Sequence, residues 1–188
     1  MRQTPNLFAL SIFLAFFLLF SPPSIAAKPS HQILFEQALQ ASKQGDFSEA
    51  LNIWEQLLEL FPDDALAWSN AGNVRFALGD FKGAIANQTN SIRLLPNEVD
   101  PHRNRGIAAE ALQLWDEAEH DYNWILQHDP EDAFALYNLG NVRVAQENWQ
   151  EAEALFYQAS LASTGFVMAR SSQALSAYQL GKFDRAES

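Results

Sequence analysis

From His31 onward, large apolar, small and polar residues recur along the chain with a single beat. Prolines stand 34 residues apart at Pro62, Pro96 and Pro130. An alanine within a short acidic and aromatic stretch recurs at Ala50, Ala84, Ala118, Ala152 and Ala186, and an aromatic precedes it at Phe47, Phe81, Trp115, Trp149 and Phe183. Marks in phase at this period predict stacked copies of one small unit, none of which can bury its own apolar face alone. Gly45, Gly79 and Gly181 fall where a first helix should end, a place that often needs a left-handed backbone. In the third unit Gln113 stands there. In the fourth it is Glu147-Asn148, with Asn148 expected to take that geometry because asparagine tolerates it best after glycine. The prolines end a second helix and turn the chain into the next unit. The pairs that follow them, Asp63-Asp64, Asn97-Glu98 and Glu131-Asp132, put acid at helix starts, where the dipole favours it.

A different pattern precedes the repeats. Leu7 to Phe20 is a 14-residue apolar run, with Arg2 ahead of it and the small-residue stretch Ser21-Pro22-Pro23-Ser24-Ile25-Ala26-Ala27 behind it. That order predicts a secretory signal over residues 1–27, cleaved after Ala26 or Ala27. The run is short of the roughly 20 residues that span a bilayer core; an uncleaved anchor through residues 7–20 is the alternative. Residues 28–30 read as a linker, and 31–188 as the repeat domain. The expected location is outside the cytoplasm: periplasm, cell exterior or thylakoid lumen. In joining such a signal to repeats, the chain is similar to small lumenal repeat proteins of photosynthetic lineages.

Counted from His31, the units run 31–64, 65–98, 99–132 and 133–166, with a truncated fifth from Val167. Small residues stand eighth in each: Ala38, Gly72, Gly106, Gly140 and Ala174. Leu34, Trp68, His102, Leu136 and Arg170 stand fourth, and Trp54, Gln88, Tyr122 and Phe156 stand twenty-fourth. With the alanine and proline series, these residues resemble the tetratricopeptide repeat family over all of 31–188. The resemblance implies an all-α fold, a right-handed α-solenoid of stacked antiparallel helix hairpins. The physics agrees: small residues at two facing positions let paired helices approach, and large ones fill the remaining space.

The third unit departs most, with His102, Arg105 and Ala109 where the family carries large apolar groups. Arg75 and Arg143 occupy equivalent places in Gly72-Asn73-Val74-Arg75 and Gly140-Asn141-Val142-Arg143. An inward arginine needs a partner. These either snorkel to the hairpin edge or form a row that receives acidic groups of a ligand. The fifth unit would leave Leu175, Tyr178 and Leu180 without their usual cover, so self-association at the C-terminal end is an alternative role.

The formal charge is −11; since Arg2 is the only charge in the first 27 residues, the rest carries −12 (−11 less that one positive charge). Such a body repels phosphate backbones, which excludes a nucleic-acid partner. With no cysteine there is no disulfide or thiolate site. His31, His102, His120 and His128 form no metal spacing and are read as structural or solvent-facing. Asp116, Glu117, Glu119 and Asp121 are read as a cap and solvated face of a helix rather than catalytic carboxylates. No phosphate loop, GxSxG elbow or EF-hand string occurs. The reading is therefore not an enzyme, with no cofactor and no metal, but a scaffold for a protein or peptide segment, touching a membrane only through its N-terminal stretch if uncleaved.

In the family the first helices line a concave groove. The matching residues here include Phe35, Leu39, Asn73, Phe76, Arg103, Ile107, Tyr137, Asn141, Val144 and Tyr178, with Ser69, Glu110, Phe134 and Leu175 at further groove positions: an apolar and aromatic lining with asparagines that can both donate to and accept from a peptide backbone. Family members that clasp chaperone carboxyl tails use Lys, Arg and Asn there. Asn73 and Asn104 match the asparagines, but Ser69, Phe134 and Asn138 replace the cations, and tail clasping is rejected.

Overall fold

The structure is a computed structural model and describes residues 30–181; the signal predicted for residues 1–27 and the marks Phe183 and Ala186 lie outside the described residues. Nine α-helices fill that span: α1 (His31–Gln44), α2 (Phe47–Leu60), α3 (Ala65–Ala77), α4 (Phe81–Leu94), α5 (Val99–Ala111), α6 (Trp115–His128), α7 (Ala133–Ala145), α8 (Trp149–Ala162) and α9 (Val167–Gln179). The described residues contain no strand. Each helix packs on the next in sequence, and α3, α5 and α7 also touch one another in series. The result is four antiparallel hairpins and the first helix of a fifth, stacked as an α-solenoid.

The first helices begin at residues 31, 65, 99, 133 and 167, one 34-residue step apart, and the second helices begin on the aromatics Phe47, Phe81, Trp115 and Trp149. Every hairpin closes the same way. The amide of Asp46, Asp80, Leu114 or Asn148 bonds to the carbonyl five residues back, on Ala41, Arg75, Ala109 or Arg143. This closure requires a left-handed residue just before the donor. Gly45 and Gly79 supply it at φ 80, but Gln113 and Glu147 adopt it too, at φ 59. Asn148 does not take the left-handed place expected of it; it caps α8, its side chain accepting from the Glu151 amide. Asp64 and Asp132 likewise cap α3 and α7, whereas Glu98 makes no capping bond. At the far ends α2, α4, α6 and α8 all stop with a residue off the helical conformation, Phe61, Leu95, Asp129 or Ser163, the last two extended. The first three precede a proline, which disfavours the helical conformation at the residue before it; Thr164 follows the fourth, so proline is not indispensable.

Packing inside each hairpin follows from size. Trp54, Tyr122 and Phe156 on the second helices are fully buried, as are Ala50, Ala118 and Ala152. They press on the small residues of the first helix: a Cβ added to Gly106 would lie 2.7 Å from Tyr122 Cε1. In the second hairpin Gln88 occupies the ring's place and is 1% exposed.

Candidate functional site

The first helices α3, α5 and α7 touch in series along one side of the stack, the side where the groove is expected, and α3 and α5 are joined there by side-chain amides. There the buried Gln88 amide has only one sensible orientation. Its Nε2 donates to the carbonyl of Ser69 at 3.0 Å, a group that can only accept, and to Asn73 Oδ1 at 2.9 Å. Asn73 Oδ1 also accepts from Asn104 Nδ2 at 2.9 Å. With that oxygen taken twice, what remains is the donor group of Asn73 and the acceptor oxygen of Asn104, a pair matched to the C=O and N–H of a peptide backbone. Beside them Phe76 and Ile107 wall a cleft of about 220 Å³, floored by Gly72, Ala84 and Gln88. An aromatic ring at residue 88, as in the neighbouring hairpins, would take this space.

The other predicted groove residues fall elsewhere along the stack. Phe35 and Leu39 pack against the core of the first two hairpins, Phe35 edge-on to Trp54 with centroids 5.0 Å apart. Tyr137 sits between Phe156 and Phe166, at 5.5 and 5.0 Å. Asn141 and Val144 are half-buried on α7, and Tyr178 is exposed on α9. Arg103 bonds Asp100 at 2.7 Å and Asp132 at 2.8 Å, its guanidinium 6.0 Å from the Phe134 ring centre.

The arginines expected to snorkel, or to await an acidic ligand, are held within the chain. Arg75 bonds Glu55 of the preceding hairpin and Asp80, both at 2.6 Å. Arg143 bonds Glu119 of the preceding hairpin twice at 2.6 Å, with Gln146 and Glu151 close by. Arg143 holds the Glu119 carboxyl below its usual range, against the opposing effect of burial. Each joins neighbouring hairpins; neither stands as a free cation.

A cluster the sequence reading did not foresee lies behind the groove. Asp121, placed above on a solvated face, is 1% exposed. It takes a forked pair of bonds from Arg105, at 2.9 and 2.8 Å, and lies 2.8 Å from His102 Nδ1. Burial would push the Asp121 carboxyl up, but the bonds from Arg105 and His102 outweigh it and hold it below the ordinary range. His102 also stacks on Trp124 at 3.8 Å. The signal was present: two polar residues replaced apolar ones on one face of the third unit, and each needed a partner on the opposing helix. Glu110, in the last turn of α5, accepts from the Tyr122 hydroxyl. Burial raises its carboxyl above the usual value, more than the Tyr122 bond lowers it. Among the described residues no group of three His, Cys, Asp or Glu could hold a metal.

Known proteins resemble this arrangement. A family model described as tetratricopeptide repeat matches residues 35–89 and 103–166. Human RNA polymerase II-associated protein 3 is 26% identical over 125 residues, 65% of this chain and 19% of that protein; the chain thus spans about a fifth of the length of the curated relatives it matches. Among solved structures, MamA from Desulfovibrio magneticus RS-1 superposes with a TM-score of 0.79 at 16% identity, over 86% of this chain and 92% of that one. The first TPR of Spaghetti (RPAP3), bound to the HSP90 peptide SRMEEVD, gives 0.60 at 25% identity, over 62% and 93%.

Proposed function

The chain belongs to the tetratricopeptide repeat family, and on that premise we propose that it is an exported scaffold, not an enzyme, that holds an extended or helical segment of another protein in its concave groove and so assists assembly of a complex. The cleft between α3 and α5 carries the reading: oriented amides beside apolar walls suit a peptide backbone and its side chains, and a repeat array of similar fold is known with a peptide bound. The acidic character of that peptide is not carried over, because the groove arginines here are already engaged by carboxylates.

Export is proposed from the order of charge, apolar run and small residues in 1–27; among the described residues no helix is long and apolar enough to cross a membrane. A mature protein that begins at Ala27 or Lys28 in a fraction outside the cytoplasm is the expected result, and an intact cytoplasmic chain would refute it. For the groove, the test is capture from native extract with the full chain and with Asn73→Ala/Asn104→Ala, the two amides of the cleft. Loss of a partner at unchanged helical content is expected; equal capture would place binding elsewhere. A second reading, self-association through the fifth unit, is favoured by the exposure of Leu175 and Tyr178, 56% and 57%. Light scattering that shows a mass rising with concentration would support it.

A further inference from the structure

Charge is distributed unevenly along the groove. The three middle concave helices, α3, α5 and α7, carry four arginines and no lysine. All four are neutralised within the chain: Arg75 by Glu55 and Asp80, Arg103 by Asp100 and Asp132, Arg105 by Asp121, and Arg143 by Glu119 and Glu151. The same helices carry two carboxylates, Asp100 and Glu110. Asp100 is paired with Arg103. Among the described residues Glu110 has no basic partner, and the side-chain bond it makes there comes from the Tyr122 hydroxyl to Oε1.

Glu110 is also placed to be met. Arg103, Ile107 and Glu110 follow one another at spacings of four and three, so they share a face of α5. Ile107 lines the amide cleft. Tyr122 is a rigid support, because its fully buried ring is seated against Gly106 with no room for a Cβ. One neutral donor does not balance a carboxylate. Burial leaves the ionised form under-solvated and raises the Glu110 carboxyl above its usual value, despite the Tyr122 bond. An arriving cation would offset that cost, and the negative charge of the whole chain would steer it inward.

We propose that the segment held in this groove is basic: a lysine or arginine of an extended peptide pairs with Glu110, while Asn73 and Asn104 bond the peptide backbone nearby. This rests on the groove reading above and names the chemistry of its occupant. A carboxylate-bearing tail would meet Glu110 as a like charge, with no free arginine on these helices to compensate.

The test is selection of a displayed library of random peptides on the full chain and on Glu110→Gln, a variant that keeps an acceptor for the Tyr122 hydroxyl. Wild type is expected to enrich peptides carrying Lys or Arg several-fold over the starting library, with the excess lost on Glu110→Gln. A selected peptide whose key lysine is changed to glutamine should bind wild type about tenfold more weakly, as expected for a charge-assisted hydrogen bond, and bind Glu110→Gln unchanged. Enrichment without a basic bias, or a bias that survives Glu110→Gln, overturns this inference and leaves the groove reading standing. If wild type enriches no peptide at all, both fall.

Discussion

The ring of Phe156 occupies the space a side chain on Gly140 would need: a Cβ there would lie 2.5 Å from Cε1. The ring is fully buried and cannot swing aside. This is the contact that sets how closely α7 and α8 approach, and Gly106 with Tyr122 repeats it one unit earlier, at 2.7 Å.

Gly140→Ala is therefore expected to destabilise the array. Overpacking costs about 1–3 kcal/mol, offset in part by the better helix propensity of alanine, about 1 kcal/mol; the 2.5 Å approach to a buried ring puts the cost at the upper end, so a net loss of up to about 2 kcal/mol should remain. Gly165→Ala is the control, since nothing lies within 4 Å of its Cβ position, and it should stay within about 0.5 kcal/mol of wild type. Urea midpoints decide; equal midpoints for the two variants would contradict the packing account.

Asp121→Ala should cost about 3–5 kcal/mol, because it leaves Arg105 and His102 without the carboxylate they share. Acid acts on the same group. The Asp121 carboxyl is held below its unfolded value of about 3.9, so its contribution is complete above about pH 4 and is lost as pH falls through the folded-state value. Glu119 and Asp80 are held low as well, Glu119 chiefly by Arg143 and Asp80 chiefly by the Gly83 amide. The informative quantity is thus the difference between wild type and Asp121→Asn in melting temperature against pH. That difference should shrink on acidification; a constant gap would show that the charge contributes nothing.

Glu110 should behave with the opposite sign. Its carboxyl is raised by burial, so ionisation costs folded stability, and the cost grows as pH rises from the unfolded value of about 4.3 through the folded one. Glu110→Gln is expected to be more stable than wild type at neutral pH, by a few tenths of a kcal/mol given partial solvent screening, and indistinguishable near pH 4. Thermal melts at the two pH values suffice. A variant less stable at neutral pH would mean that Glu110 is already compensated and awaits no cation.

Much of the fold was legible because its rules are local. The size of residues such as Gly106 and Ala118, the break after Leu95 and Asp129, and the caps at Asp64 and Asp132 depend on neighbours a few positions away or on a facing residue at constant offset. The hairpin turn was legible only in part. Closure at Gln113 and Glu147 is enforced by the amide bond five residues back, and it overrides the preference for glycine or asparagine. The site was harder to read. That Asn73, Phe76 and Ile107 share a cleft depends on how far α5 is displaced along α3, and the arrangement of donors there depends on Gln88, a residue that looked like a mere departure from the pattern.

By itself the sequence determined a periodic stack of helix pairs, since a repeated pattern of small, large and breaking residues has one economical way to bury its apolar faces. Only the tertiary structure decided which charges are spent and which remain. Arg143 finds Glu119 across 24 residues and Arg105 finds Asp121 across 16, while Glu110 finds no cation among the described residues. Charge pairing depends on distances of a few ångströms between separate helices, and those are set by the packing of the stack rather than by spacing along the chain.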